Sequence, residues 1–510
     1  VIRYSAAFFC LTTLGLATTN DVLAKDTIRD SIVKIYTTSR APDFYRPWTK
    51  QNPAKSSGSG VLIALGPDAK IPAGQGPLIL TNAHVVRYAS QIYVQPNQTT
   101  DKYLAQVVAV APGIDLAVLR LKDPEVLAGN SPLLLADDFP SVKETVNVYG
   151  FPMGGNDLSV TEGIVSRIEF SKFYYETYGV RIQVDAALNP GNSGGPAVAA
   201  GRVVGLVFSG IRTADNIGYL IPADEIRLFF ADIEDGNYDG KPWLLDYFQS
   251  AENESLRKRV GLSKKQTGIV VTIPYSDDQS YPLRRWDVIT QIGPYALDNL
   301  GMVQIRDDLR LRFSHFLSEL VDEGRVPITI LRKGEEQKVE LPVITQREKL
   351  LPLLKHNYPE YAIFGPLVLT TLSKEYAQAA LSSKRGIALM SYRQSPIISR
   401  LDAEPEFSGE ELVIVANRMF PHPIKKGYEN PTLNVVEKLN GQPVENLAHL
   451  IEMLRDSSDE YLEFEFAGYA DTLVFLREEL LEANETILES EGIRYQFSPR
   501  LRKVWNAKEN

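Results

Sequence analysis

A chain of 510 residues is too long for one hydrophobic core, which rarely grows past about 250–300 residues, so about two to four domains are expected. Its composition, 44% hydrophobic and 23% charged, is that of an ordinary globular protein. A net charge of −10 without any long basic run argues against nucleic-acid binding, and a single cysteine leaves no finger-type ligand spacing.

The elements begin with an export pattern. Arg3 precedes apolar residues 6–11 and 14–17, and Val22-Leu23-Ala24 places small residues where a signal peptidase reads. The pattern predicts a signal peptide over residues 1–24, a mature chain starting at Lys25 and a periplasmic location. The apolar stretch is too short to span a bilayer, so no stable membrane insertion is expected. Cys10 lies inside this leader, so the mature chain has no thiol and tolerates an oxidising compartment.

From Ile28 to about Leu228 short apolar runs alternate with turns. Residues 60–63, 78–81, 105–110, 116–119, 146–149 and 203–208 read as strands, separated by Gly66-Pro67, Gly76-Pro77, Pro112-Gly113 and Phe151-Pro152. Many short strands over about 200 residues suit a two-barrel, all-β domain. The acidic, glycine-rich residues 232–240 read as a linker or exposed turn. Beyond them, residues 268–271 and 286–289 read as strands, 309–320 as a helix and 326–331 as a strand. A similar order recurs near the C-terminus: strands at 411–415 and 435–441, a helix at 446–454, and a strand at 461–466. These are read as two related, small mixed α/β modules, with a last helix over 476–492.

Three segments carry chemistry. Thr81-Asn82-Ala83-His84-Val85-Val86 ends an apolar strand in a histidine. Gly113-Ile114-Asp115-Leu116-Ala117 sets an aspartate just before another, where partial burial lets it fix an imidazole tautomer. Asn189-Pro190-Gly191-Asn192-Ser193-Gly194-Gly195-Pro196 exposes a serine on a glycine turn, and lets the N–H groups of Gly191 and Ser193 converge as an oxyanion hole. Each alone is weak, since a lone histidine, aspartate or glycine turn has ordinary structural uses. Their order within one β-rich segment predicts a catalytic triad of His84, Asp115 and Ser193. His315, His356, His422 and His449 share no ligand spacing, and no metal or other cofactor is expected.

These segments resemble the HtrA/Deg (DegP-like) proteases over about residues 57–224, together with Ser57-Gly58-Ser59-Gly60-Val61, Tyr149-Gly150-Phe151-Pro152, residues 161–166 and residues 185–188. Val435 to Gly441 is more similar to the plant-type Deg branch and its bacterial relatives. The resemblance implies a mainly β fold, a chymotrypsin-like double β-barrel followed by two PDZ-like domains. The expected divisions are 1–24, 25–235, 236–346 and 347–510. It further implies ATP-independent cleavage of unfolded chains in protein quality control, and trimers or multiples of three. In such a fold the specificity pocket is walled by Ala187 and Leu188 and by Ser209, Gly210 and Ile211, which predicts cleavage after small to medium aliphatic residues. Asp185, eight residues before Ser193, is expected to serve structure or activation rather than the pocket base.

PDZ modules capture a terminal carboxylate on N–H groups of a glycine-containing loop. The corresponding Lys241-Pro242-Trp243-Leu244-Leu245-Asp246 has a proline without an N–H and an added negative charge, which weighs against such capture. In the second module the corresponding stretch lies around residues 361–368. Phe170, Phe173, Tyr174, Tyr175 and Tyr178 form an aromatic loop that reads equally as a sensor of a partner or module and as ordinary packing. A chaperone or peptide-binding scaffold with little proteolysis remains the alternative, and the complete triad favours the enzyme.

Overall fold

A computed structural model describes residues 28–65, 76–153, 155, 157–172, 177–210, 218–345, 348–382 and 384–507. The leader read at residues 1–24 lies outside the described residues. The chain divides into two compact units, one within Val1–Thr38 and Lys55–Gln346, the other within Ser39–Ala54 and Arg347–Asn510.

The first unit opens with two barrels. Strands β1 (Ile32–Ser39), β2 (Ala54–Ala64), β3 (Leu78–Thr81), β4 (Ala89–Pro96), β5 (Tyr103–Ala111) and β6 (Leu116–Leu121) run β1-β4-β5-β6-β3-β2, and a β1–β2 pairing closes the ring. The short β7 (Leu133–Leu134) adds to β2 in parallel. β3 and β6 are buried at every residue, which is why their sequences are continuous apolar runs rather than alternating ones. The second barrel closes as β10-β13-β12-β11-β8-β9, from β8 (Thr145–Gly150), β9 (Ser159–Lys172), β10 (Tyr178–Val184), β11 (Pro196–Ala199), β12 (Arg202–Gly210) and β13 (Gly218–Pro222). One core cluster runs through both, from Val61, Leu80 and Leu116 to Val148, Val184, Leu206 and Ile221. Full burial of such side chains contributes roughly 1.5–3 kcal/mol each, so the seam between barrels is held firmly.

The helix Ala223–Asp232 follows. Of the two readings of residues 232–240, linker or exposed turn, the structure has the turn: the Asp232 carboxylate accepts the N–H groups of Asp239 and Gly240. A small module then forms a sheet ordered β14 (Tyr247–Ser250), β15 (Ile269–Ile273), β16 (Val288–Ile292), β20 (Arg325–Arg332) and β21 (Glu335–Pro342), with β17 (Tyr295–Ala296) paired to β16. Residues 309–320 do not form one helix. Leu309–Arg312 is β19, in a hairpin with β18 (Met302–Arg306), and helical turns begin only at Phe313. The reason lies in the Leu-Arg-Leu-Arg sequence: Leu309 and Leu311 are buried while Arg310 and Arg312 are exposed, a two-residue period.

The second unit repeats this order. β23 (Leu367–Thr371) pairs β24 (Val413–Val415), an Ile414–Val435 bridge leads to β25 (Val436–Leu439), and β27 (Tyr461–Phe466) and β28 (Leu473–Leu476) complete the series, with β26 (Gln442–Pro443) on β25. The helix Leu447–Asp456, capped by the Asn446 side chain, lies between β26 and β27 in sequence as expected. The fold is therefore a double β-barrel followed by two small α/β modules of PDZ type. Helices Lys374–Leu381, Lys384–Tyr392 and Pro396–Ser399 are inserted between β23 and β24. The segment Ser39–Ala54 belongs to this unit: Phe44 stacks on Tyr376 with centroids 5.4 Å apart, and Trp48 lies 5.7 Å from Phe420.

Candidate active site

His84 lies in the single helical turn Ala83–Val86 that follows β3, between the buried Ala83 and Val85. Asp115 immediately precedes β6 with φ +59°, a left-handed conformation uncommon for any residue other than glycine. Its carbonyl oxygen accepts the Ala83 N–H at 3.1 Å and the Asn82 side-chain amide at 3.0 Å, which holds that conformation. Its carboxylate then grips His84 twice. Oδ1 accepts the His84 backbone N–H at 2.8 Å, and Oδ2 lies 2.6 Å from Nδ1. An ionised carboxylate only accepts, so Nδ1 carries the proton and Nε2 is left as the acceptor. The Asp115 side chain is 2% exposed and that of His84 41%, so the pair is anchored inside and presented outward.

Ser193 sits on the turn between β10 and β11, and every carbonyl over residues 189–193 is bound. Asn189 O accepts the Asn192 N–H at 3.0 Å, Pro190 O the Met153 N–H at 2.7 Å and Asn192 O the Gly195 N–H at 2.9 Å. Gly191 O accepts the Ser59 hydroxyl at 2.8 Å, and Ser193 O the Ser59 N–H at 2.8 Å. Gly191 has φ +103°, and a Cβ there would lie 2.5 Å from Phe151 O, so only glycine fits. His84 comes from the first barrel and Ser193 from the second. No hydrogen bond joins His84 to Ser193 among the described residues, and catalytic hydrogen bonds of this kind often tighten only in the substrate complex.

Of the residues expected to wall a specificity pocket, Ala187 is exposed and Leu188 is half-buried against the barrel core. Ser209 and Gly210 pair with Tyr219 and Gly218 of β13, and Ile211 lies outside the described residues. Asp185 is engaged by backbone: its carboxylate accepts the Ile164 N–H at 2.6 Å, and its own N–H reaches Ile164 O at 3.2 Å.

In the first module the Asp246 carboxylate is buried and accepts the Tyr275 N–H at 2.9 Å and the Tyr281 hydroxyl at 2.8 Å. Burial pushes its pKa above the usual carboxylate value. β14 is the edge strand of its sheet. In the second module the corresponding edge is filled by the chain itself: β22 (Tyr361–Phe364) pairs with β23 from Leu367 to Thr370, and the Gly365 N–H is taken by the Asn484 side chain at 3.2 Å. Of the aromatic loop, Phe173, Tyr174 and Tyr175 lie outside the described residues. Phe170 and Tyr178 stack on each other and reach the first module, through His315 and Trp243 respectively.

No cluster able to hold a metal occurs among the described residues. Nor, among them, is any helix long and apolar enough to cross a membrane. Sequence reasoning passed over Ser59 and Asn82 as individuals, although Ser59 stands in the glycine-serine run that carried part of the family likeness.

Residues 58–206 match the trypsin-like peptidase domain family, and residues 354–500 match the PDZ domain family. With the double barrel, the first match defines the class, a chymotrypsin-like serine endopeptidase. Protease Do-like 2, chloroplastic, of Arabidopsis thaliana is 33% identical over 478 residues, which span 92% of this chain and 75% of that protein. Protease Do-like 4, mitochondrial, of the same plant is 34% identical over 432 residues, 83% of this chain and 76% of that protein. The solved HtrA-type protease AlgW with decapeptide is 26% identical, over 63% of this chain and 97% of that one, at a TM-score of 0.46. The chain belongs to the HtrA/Deg family of serine endopeptidases, and its relatives are Do-like proteases of the plant Deg branch.

Proposed function

We propose that the chain cleaves unfolded or damaged proteins without ATP, with Ser193 as nucleophile, His84 as general base and Asp115 as the carboxylate that orients it. The observation that carries this reading is the double grip of Asp115 on His84, which reserves Nε2 for a proton. The Ser193 hydroxyl proton passes to Nε2 as Oγ bonds to the substrate carbonyl carbon. The N–H groups of Gly191 and Ser193 receive the oxyanion. His84 then gives the proton to the departing amine, and water repeats the sequence to release the acid.

Ala187, Leu188, Ser209, Gly210 and Ile211 form the proposed substrate pocket. It offers no charge to a P1 lysine or arginine, whose desolvation costs several kcal/mol, on the order of 2–7 for a polar group without a partner. Alanine, valine, isoleucine and leucine are therefore the favoured P1 residues. Asp185 supports the reading, since its carboxylate is engaged with the Ile164 N–H.

The proposed setting is extracytoplasmic protein quality control, in the periplasm after cleavage behind Ala24; it rests on the pattern of residues 6–24, while the Arabidopsis relatives are chloroplastic or mitochondrial. Unfolded chains and peptides are the proposed partners, and the proposed assembly is a trimer or a multiple of three. The proposed domains are a protease over 25–235 and PDZ-like modules over 236–346 and 347–510. The test is degradation of an unfolded protein by the purified chain without ATP, with products read by mass spectrometry. Ser193→Ala abolishes cleavage on this account, and most cuts follow small or medium aliphatic residues. Undiminished cleavage by Ser193→Ala, or a majority of cuts after lysine or arginine, would contradict it.

A further inference from the structure

We infer that Ser59 is a positioning residue that latches the oxyanion turn, an inference that rests on Ser193 being the nucleophile. Ser59 is fully buried on β2, in the first barrel, yet its N–H and its hydroxyl both bond to backbone beside Ser193. Its N–H donates to Ser193 O at 2.8 Å. Its carbonyl accepts the Thr81 hydroxyl at 2.8 Å. Its hydroxyl donates to Gly191 O at 2.8 Å and accepts the Phe151 N–H at 2.8 Å.

The hydroxyl therefore joins two backbone segments beside the proposed hole, at Phe151 N–H and Gly191 O. Phe151 leads to Met153, whose N–H holds Pro190 O at 2.7 Å. A trans peptide sets its carbonyl and N–H in opposite directions, so holding Pro190 O aims the Gly191 N–H the other way. Holding Asn192 O on the Gly195 N–H aims the Ser193 N–H in the same manner. Between these two peptides lies the Gly191–Asn192 peptide, whose N–H is held by Asn189 O at 3.0 Å and whose carbonyl is held by the Ser59 hydroxyl. Gly191 lacks a Cβ and already has φ +103°, so once the hydroxyl is gone no side chain on that residue resists reorientation of the peptide. Removing the hydroxyl leaves two buried groups unpaired, Phe151 N–H and Gly191 C=O, and relaxing them draws the two donors out of convergence. The substrate-binding walls do not pass through this atom, so the loss falls on the transition state rather than on binding.

The experiment compares Ser59→Ala, Thr81→Val and Ser193→Ala in the full chain. Steady-state cleavage of a peptide substrate is measured, together with affinity for a peptidyl boronate that forms a tetrahedral adduct on the nucleophile. Ser59→Ala is expected to lower kcat on the order of 10–10²-fold with KM within about twofold, and to weaken the boronate in parallel. Thr81→Val removes a buried hydrogen bond to the same residue without touching the latch, and is expected to keep kcat within about threefold. If Ser59→Ala does not fold, Ser59→Cys, with its weak donor, is expected to show an intermediate loss. The latch is overturned if Ser59→Ala keeps kcat, if kcat falls while boronate affinity holds, or if Thr81→Val falls as far. Cleavage that survives in Ser193→Ala would instead overturn the reading of the nucleophile itself.

Discussion

Asp115 shows most clearly what a single residue contributes. It is held in a left-handed conformation by its own carbonyl's hydrogen bonds, and in exchange its carboxylate meets His84 at two atoms. Asp115→Asn keeps the size but replaces one oxygen by a donor, and so favours the imidazole tautomer with its proton on Nε2. We predict a fall in kcat on the order of 10⁴-fold, with an unchanged circular dichroism spectrum; a loss under tenfold would contradict the assignment. The pairing of His84 with Asp115 was legible in the sequence because chemistry restricts the residue types and their order; Ser193 completes the proposed triad. The role of Ser59 was not, because its partners lie 92 and 132 residues away and only folding brings them together.

Elements position these residues, and here β10 and the segment that leads from it to Ser193 matter most. β9 pairs with β10, and at Gly163 it closely approaches the segment that follows β10: a Cβ there would lie 2.6 Å from the Ala186 backbone nitrogen and 2.7 Å from its Cα. No flexible side-chain end is available to give way. Gly163→Ala is therefore expected to cost about 1–3 kcal/mol of stability and to displace Ala187 and Leu188. A lowered urea midpoint together with altered P1 preference would bear this out, whereas wild-type values for both would count against it. The strands were legible wherever apolar runs met glycine or proline. The hairpin at Leu309–Arg312 was not, because its two leucines at a two-residue spacing also fit the start of a helical pattern that Phe313, Phe316 and Leu317 continue. β22 was likewise hidden as a partner of β23, since strand pairing depends on register rather than on composition.

Within the first unit, protease and first module share a buried polar node. Lys241 pairs with the fully buried Glu225, which also accepts the Val180 N–H of β10 at 2.8 Å. His315 packs against Phe139, Phe170 and Phe316, with Nε2 3.4 Å from the Asp224 carboxylate. Burial pushes its pKa below the usual histidine value, against the pull of Glu225, Asp224 and Glu319 and with the help of Lys241. The unfolded chain thus takes up a proton near pH 6.5 that the folded one resists, so stability is retained above that pH and declines as pH falls below it. We expect the melting temperature to drop between about pH 6.5 and 5 more steeply in the wild type than in His315→Phe; equal slopes would exclude this histidine as a source. At this scale the domain classes were legible, whereas the membership of Ser39–Ala54 in the second unit was not. It depends on Phe44 and Trp48 meeting Tyr376 and Phe420, more than 300 residues onward.

The central claim is that Ser193 is the nucleophile activated by His84. It is tested most directly by treating the full chain with a fluorophosphonate and mapping the modified residue by mass spectrometry. The account predicts one adduct, on Ser193, formed far more slowly in His84→Ala and absent from Ser193→Ala. An adduct on another residue that tracks the loss of proteolysis, or undiminished labelling of Ser193 in His84→Ala, would contradict it.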